Sequence, residues 1–219
     1  MNSSSYIAAL EISGGAVLVF ALLTLWRRDV KANVRMLRLQ GVSLACVAGV
    51  LALHQHDLGL AVTAVLVLSV KGFVAPELLH RVVRRDPRSR ETAPLVNVPA
   101  SLVTAAALIV ISYAVSTKII ALAPSPPTRL VPIGVATILV GYFMLVTRRR
   151  AVSQIIGLLL VDNGIALVTF LLTAGVPLIV ELGASLDVLL VVVVLQVLLA
   201  NMRERLGTTD LDQLRELRD

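Results

Sequence analysis

Three residues able to hold or pass a proton interrupt stretches that otherwise read as hydrocarbon. Lys71 stands in "VLVLSVKGFVA", Asp162 in "IIGLLLVDNGIALV" and Asp187 in "LGASLDVLLVVVV". An ionised group at the centre of a spanning helix costs roughly 2.5–3.5 kcal/mol on insertion scales, so it needs a partner, an aqueous cavity or a changed protonation state. A lysine and two carboxylates offer both ion pairing and proton exchange. Their depths agree. Asp162 lies about eleven residues from one end of its run, Lys71 about eleven and Asp187 about nine from theirs, so all three fall within a few ångströms of the midplane at 1.5 Å per residue.

Helical periodicity adds polar neighbours to Asp162. At 100° per residue, Gln154 sits at about −80°, Thr169 at about −20° and Thr173 at about +20° from it. That stripe is a candidate wall for a water wire. Its structural alternative is a helix–helix contact in which Thr and Gln bond to neighbouring backbones. Asn163 lies off the stripe and, with Gly164, is expected to loosen the helix locally. Glu181 and Glu11 fall in the outer third, within reach of headgroups. Glu77 and His80 stand at the inner boundary, and His54 and His56 flank an outer turn without metal-ligand spacing.

The elements that position these groups follow from composition. Of the 219 residues 57% are hydrophobic and 16% charged, with a mean hydropathy of +0.89; a soluble domain is nearer about 45–50% apolar. The apolar residues form blocks of the length that crosses a bilayer as a helix. Seven spans are expected, at about 5–26, 40–55, 59–80, 97–117, 130–147, 151–174 and 178–201. The first lacks a basic n-region, contains Glu11 and runs into Arg27, so it does not read as a cleaved signal peptide. The proline-rich stretch "APSPPTR" (123–129) cannot be helical, and divides a four-helix part (1–122) from a three-helix part (128–202). A polar tail (203–219) follows, with a short amphipathic helix expected around Leu211, Leu214 and Leu217.

Orientation follows from lysine and arginine. Alternate connections carry 17 of the 20 positive residues, which places the N-terminus outside and the C-terminus in the cytoplasm. The net charge of +6 is accounted for by these loops, which face anionic headgroups, so nucleic acid is not an expected partner. The single cysteine, Cys46, permits no disulfide framework and is expected as a small core residue. There is no CxxC, HExxH, GxSxG or P-loop, so the sequence does not read as an enzyme with its own active site.

The C-terminal third carries a resemblance. "RRAVSQIIGLLLVDNGIALVTFLL", "GVPLIVELGASLDVLLVVVVLQVLL" and "GTTDLDQLREL" resemble the hydrogenase-4 component E family, membrane subunits of group 4 nickel–iron hydrogenases and formate hydrogenlyase-like complexes. The likeness runs over essentially the whole chain, with Lys71 in "SVKGFVAPELL" standing for the family's span-three lysine. The family pattern Q-x-x-G-x-x-x-x-E-N-G is met by Gln154, Gly157, Asp162, Asn163 and Gly164. The pattern V-E-x-G with a following aspartate is met by Val180, Glu181, Gly183 and Asp187. Asp162 replaces the usual glutamate, keeping the charge and shortening its reach. Spans five to seven also resemble the K subunit of respiratory complex I and the C subunit of multisubunit cation/proton antiporters. The K subunit's two intramembrane glutamates align near Leu159 and Leu190, each about one helical turn from an aspartate of this chain.

The resemblance implies an all-α, seven-span subunit in the cytoplasmic membrane of a complex I-related, hydrogenase-like assembly. It would not be catalytic alone. Lys71, Asp162, Asp187, Glu181 and Gln154 are the expected proton-path residues. No cofactor or metal is expected in this chain; nickel–iron and iron–sulfur centres would belong to partner subunits. The implied partners are antiporter-like and anchor subunits in the membrane, and peripheral hydrogenase subunits on the cytoplasmic side. A small subunit of a cation/proton antiporter is one alternative, and a non-conducting scaffold is another.

Overall fold

In a computed structural model, residues 2–27, 29–84 and 96–173 are described. They are helical nearly throughout, and six helices are long and apolar enough to cross a bilayer. The seventh expected span, with Glu181, Gly183 and Asp187, and the tail helix lie outside the described residues.

Helix α1 (Ser3–Trp26) stops at Arg27, whose backbone turns extended. Asp29 then caps α2 (Val30–Gln55) by accepting a bond from the Lys31 amide. This helix begins ten residues before the apolar run that marks it in the sequence. Its first turns are amphipathic: Val30, Ala32, Val34 and Leu37 are buried, while Lys31 and Arg35 are exposed. A hydropathy window averages those arginines in and misses the start. At the other end His56 takes a left-handed conformation (φ 55°), and the Asp57 carboxylate accepts from the amides of Gly59 and Leu60. A two-residue turn thus reverses the chain. Beside it the His54 ring stacks on Tyr6 at a centroid distance of 3.8 Å.

The third span is three segments in one rod: α3 (Leu58–Val67), a π-helical stretch over Leu68–Val74, and α4 (Ala75–Arg84). The cause of the wide stretch is local. Pro76 has no N–H to give, and its ring crowds the carbonyl four residues earlier. The chain widens before it, and the Ala75 amide reaches back to the Val70 carbonyl. Lys71 sits in this widened stretch.

Helix α5 (Val98–Leu122) is capped by Asn97, whose side chain accepts from the Ala100 amide. It is the least buried of the described spans, with Val103, Val110 and Leu122 largely exposed. The proline-rich connection closes on Thr128, whose hydroxyl donates to the Ala123 carbonyl at 2.7 Å. After a short 3-10 turn, α6 (Val131–Thr147) and α7 (Ala151–Thr173) form an antiparallel pair joined through Arg148–Arg150.

Glycines set how closely α6 and α7 approach. Gly134 and Gly141 on one helix face Gly164 and Gly157 on the other, each pair seven residues apart, the spacing of a left-handed antiparallel contact. A Cβ at Gly141 would stand 2.7 Å from the Val161 amide nitrogen, and one at Gly164 would stand 2.8 Å from that of Ile138. Backbone therefore meets backbone, as small residues permit where lipid supplies no hydrophobic drive between helices.

The core is divided. One apolar cluster gathers Leu10, Val17, Leu44, Val67, Ile133 and Phe170; the other gathers Leu25, Leu37, Leu79, Met144, Ile156 and Leu160. Both draw on helices from either side of the proline-rich connection. Between them run Gln40, Lys71, Asp162 and Asn163. Cys46 is not in either cluster: it is exposed, on the side of α2 turned away from its neighbours, and the expectation of a core cysteine is corrected. Hydropathy gave no means of telling the two faces of α2 apart.

Gly141→Ala should lower the stability of the micelle-embedded chain by roughly 1–3 kcal/mol, the usual cost of overfilling a tight contact. Gly49→Ala, where a Cβ meets nothing within 4 Å, should leave it unchanged or slightly raised. Denaturant titration followed by circular dichroism reads both.

Candidate functional site

Lys71 Nζ lies 2.8 Å from Asp162 Oδ2, with side-chain exposures of 6% and 15%. The lysine comes from the π-helical stretch and the aspartate from the middle of α7. Helix α2 packs against both segments. The contact has the length of a charge-assisted hydrogen bond and satisfies in one step the requirement that a charge within hydrocarbon be paired.

A second buried bridge adjoins it. The Asn163 amide donates to Gln40 Oε1 at 2.9 Å, and Gln40 Nε2 donates to the Val17 carbonyl at 3.1 Å. Gln40 is wholly buried and Asn163 nearly so. Four spans are thereby linked at one level: α1 through a carbonyl, α2 through Gln40, the third through Lys71, and α7 through Asp162 and Asn163. The level lies about ten residues from the arginine-rich end of each helix, or about 15 Å at the α-helical rise.

The chemistry available at this level is limited and specific. A carboxylate can take a proton and an ammonium can release one, whereas neutral amides hold position by hydrogen bonds and do not exchange protons at ordinary pH. The charged pair is thus the part able to store or pass charge. The amides are the part able to fix geometry. Among the described residues no group of three or more His, Cys, Asp or Glu is placed to hold a metal ion.

The other residues singled out from the sequence do different work. Gln154 does not reach the pair; its Nε2 donates to the Arg148 carbonyl at 3.0 Å, closing the α6–α7 turn. Gly157 and Gly164 lie in the α6 contact. Asn163 and Gly164 do not loosen α7, which is continuous from Ala151 to Thr173; the asparagine side chain is engaged across the bundle, and the glycine is held by α6. Thr169 and Thr173 return their hydroxyls to the carbonyls of Ile165 and Thr169 on their own helix. At the arginine-rich end Glu77 meets Arg38 at 3.5 Å and Arg81 at 3.4 Å, all substantially exposed.

Two contributors were not apparent from the sequence. Gln40 sits at the very start of the apolar run 40–55 and reads as a boundary residue, but the helix begins at Val30 and carries it to mid-depth. The signal that marks it is a glutamine beside a glycine in "LQGVS". Arg148 reads as one of three loop arginines; instead it is 4% exposed, and its Nη2 donates to the Leu25 carbonyl at 3.0 Å, satisfying one of the carbonyls left open at the end of α1.

Spanning helices packed around a buried ion pair define a multi-pass, all-α membrane protein. No protein-family model matches the chain, and no solved structure matches it. It is similar to the uncharacterized protein Rv0085 of Mycobacterium tuberculosis (strain ATCC 25618 / H37Rv), with 41% identity over 220 residues and the whole of both chains covered. The chain belongs to the same family as that protein.

Lys71→Met leaves a buried carboxylate unpaired and should cost about 3–5 kcal/mol of stability. Adding Asp162→Leu removes the orphaned charge and should recover most of that loss, because an apolar pair of similar size replaces a buried ion pair at little cost. Denaturation of the single and double variants in the same micelle compares them.

Proposed function

We propose that this chain is a membrane subunit of a hydrogenase-like, complex I-related respiratory complex, in which its buried charges take part in proton translocation. The Lys71–Asp162 contact carries the reading. A proton arriving at the carboxylate, or a separation of the pair, changes the field felt by the next buried ionisable group. Such a change is what a lateral relay through successive subunits needs. Asp187 and Glu181 are the proposed continuation within this chain, as the resemblance to hydrogenase-4 component E implies. In this reading the chain has seven spans in the cytoplasmic membrane, its N-terminus outside and its C-terminus in the cytoplasm. Its partners are antiporter-like and anchor subunits at its flanks and peripheral hydrogenase subunits below. The redox metals belong to those partners, and this chain is not catalytic alone.

The same contact supports a second reading. An ion pair between the third span and α7 is also a tie, and a scaffold sealing the junction between subunits would use one. The double variant Lys71→Met/Asp162→Leu separates the two, because it keeps a packed tie and removes the charges.

In membranes carrying the assembled complex, Asp162→Asn and the double variant should both support assembly and electron transfer while moving fewer protons per electron than the wild type. The measurement is proton uptake by inverted vesicles against electron flow. A normal ratio in the assembled double variant overturns the relay. Absence of a co-purifying nickel–iron subunit overturns the hydrogenase assignment and leaves the cation/proton antiporter.

A further inference from the structure

We infer that Gln40 and Gly41, consecutive residues of α2, are the positioning residues of the Lys71–Asp162 pair, setting the carboxylate from one side and the ammonium from the other. This rests on reading that pair as the working charges.

Neighbouring residues of a helix point about 100° apart, so positions 40 and 41 address different partners. Gln40 addresses α7. Its oxygen accepts from Asn163 at 2.9 Å and its nitrogen donates to the Val17 carbonyl at 3.1 Å. Asn163 is bonded in sequence to Asp162, so fixing its height and rotation also fixes the direction in which the Asp162 side chain leaves α7. Replacing the glutamine by an apolar side chain of similar volume leaves the Asn163 amide without this acceptor and releases that rotation.

Gly41 addresses the π-helical stretch. A Cβ there would lie 2.5 Å from the Lys71 carbonyl carbon and 2.9 Å from the Gly72 nitrogen. Both are backbone atoms, which cannot swing aside as the end of a side chain does. Any residue larger than glycine therefore moves the Lys71 backbone away from α2 by about 1 Å to reach ordinary contact. Such a shift carries a 2.8 Å contact past the direct hydrogen-bond range, which ends at about 3.2 Å. The two ends of the ion pair are thus both referred to one short stretch of α2, "QG", and the pair keeps its geometry only while both references hold.

The test reads the pair itself, in the full-length chain reconstituted in lipid vesicles. The lysines are Lys31, Lys71 and Lys118, so nitrogen-15 at lysine Nζ and carbon-13 at aspartate Cγ give a simple solid-state NMR coupling, assigned by its loss in Lys71→Met. The wild type should show strong coupling. Gly41→Ala and Gln40→Met should each lower it about twofold or more, the expected result of widening the contact by about 1 Å. Gly49→Ala, on the same helix and in open space, should keep it. Wild-type coupling in folded Gly41→Ala and Gln40→Met overturns the inference. If Gly41→Ala does not insert, Gln40→Met decides alone, since it preserves volume. The outcome is separable from that of the relay: normal proton uptake in Asp162→Asn would sink the relay without altering the coupling, and an unmoved coupling would sink the positioning role whatever the complex pumps.

Discussion

A charge surrounded by hydrocarbon must meet an opposite charge or a dense set of dipoles, and this constraint organises the protein. Lys71 and Asp162 meet it with a 2.8 Å contact. For that contact to exist, the third span must present Lys71 at the level of the middle of α7, and α2 must be thin enough at Gly41 to let the third span close in. The glycine contacts between α6 and α7 bring those two helices together at backbone distance, and through α6 the charged helix is seated against α1 and α5. Packing that would be incidental in a soluble bundle here decides whether a charge is paired.

The polar level also partitions the interior. The apolar clusters on either side of it share no member, and between them lie two amides and two charges. A seam of this kind weakens the hydrophobic continuity of the bundle, and hydrogen bonding must make up the difference. The Gln40–Asn163 bridge does so without introducing further charge. It also makes the seam stiff on the side of α1 and α2, leaving the ionisable pair as the element that can respond to a proton.

The π-helical stretch fits the same picture. Widened turns of this type recur where a helix carries a functional residue, and here the cause is Pro76, placed one turn beyond Lys71. The proline imposes the widening and Gly72 lies within it. The backbone next to the lysine is consequently the least regular in the third span, and it is the stretch that rests on Gly41.

Much of the architecture was legible in the residues themselves. Long apolar blocks set the spans because a bilayer admits only helices of that length when the backbone must satisfy itself. Equal distances from the ends of their runs put Lys71 and Asp162 at one depth before any fold was known. The "APSPP" stretch broke the chain where its prolines indicated, whereas Pro76 and the caps Asp29, Asp57 and Asn97 took on their roles only once the helix ends were placed. The sequence could not say which way each helix turns. Cys46 looked like core and faces outward; Gln40 looked like an edge and lies at the centre; Arg148 looked like a loop charge and is buried against α1. These are facts of rotation and neighbourhood, settled by how helices distant in sequence pack, and a nearly uniform apolar surface carries no periodicity from which to read them. That Lys71 meets Asp162, and that α2 stands as the reference for both, is likewise decided only when all the helices are in place.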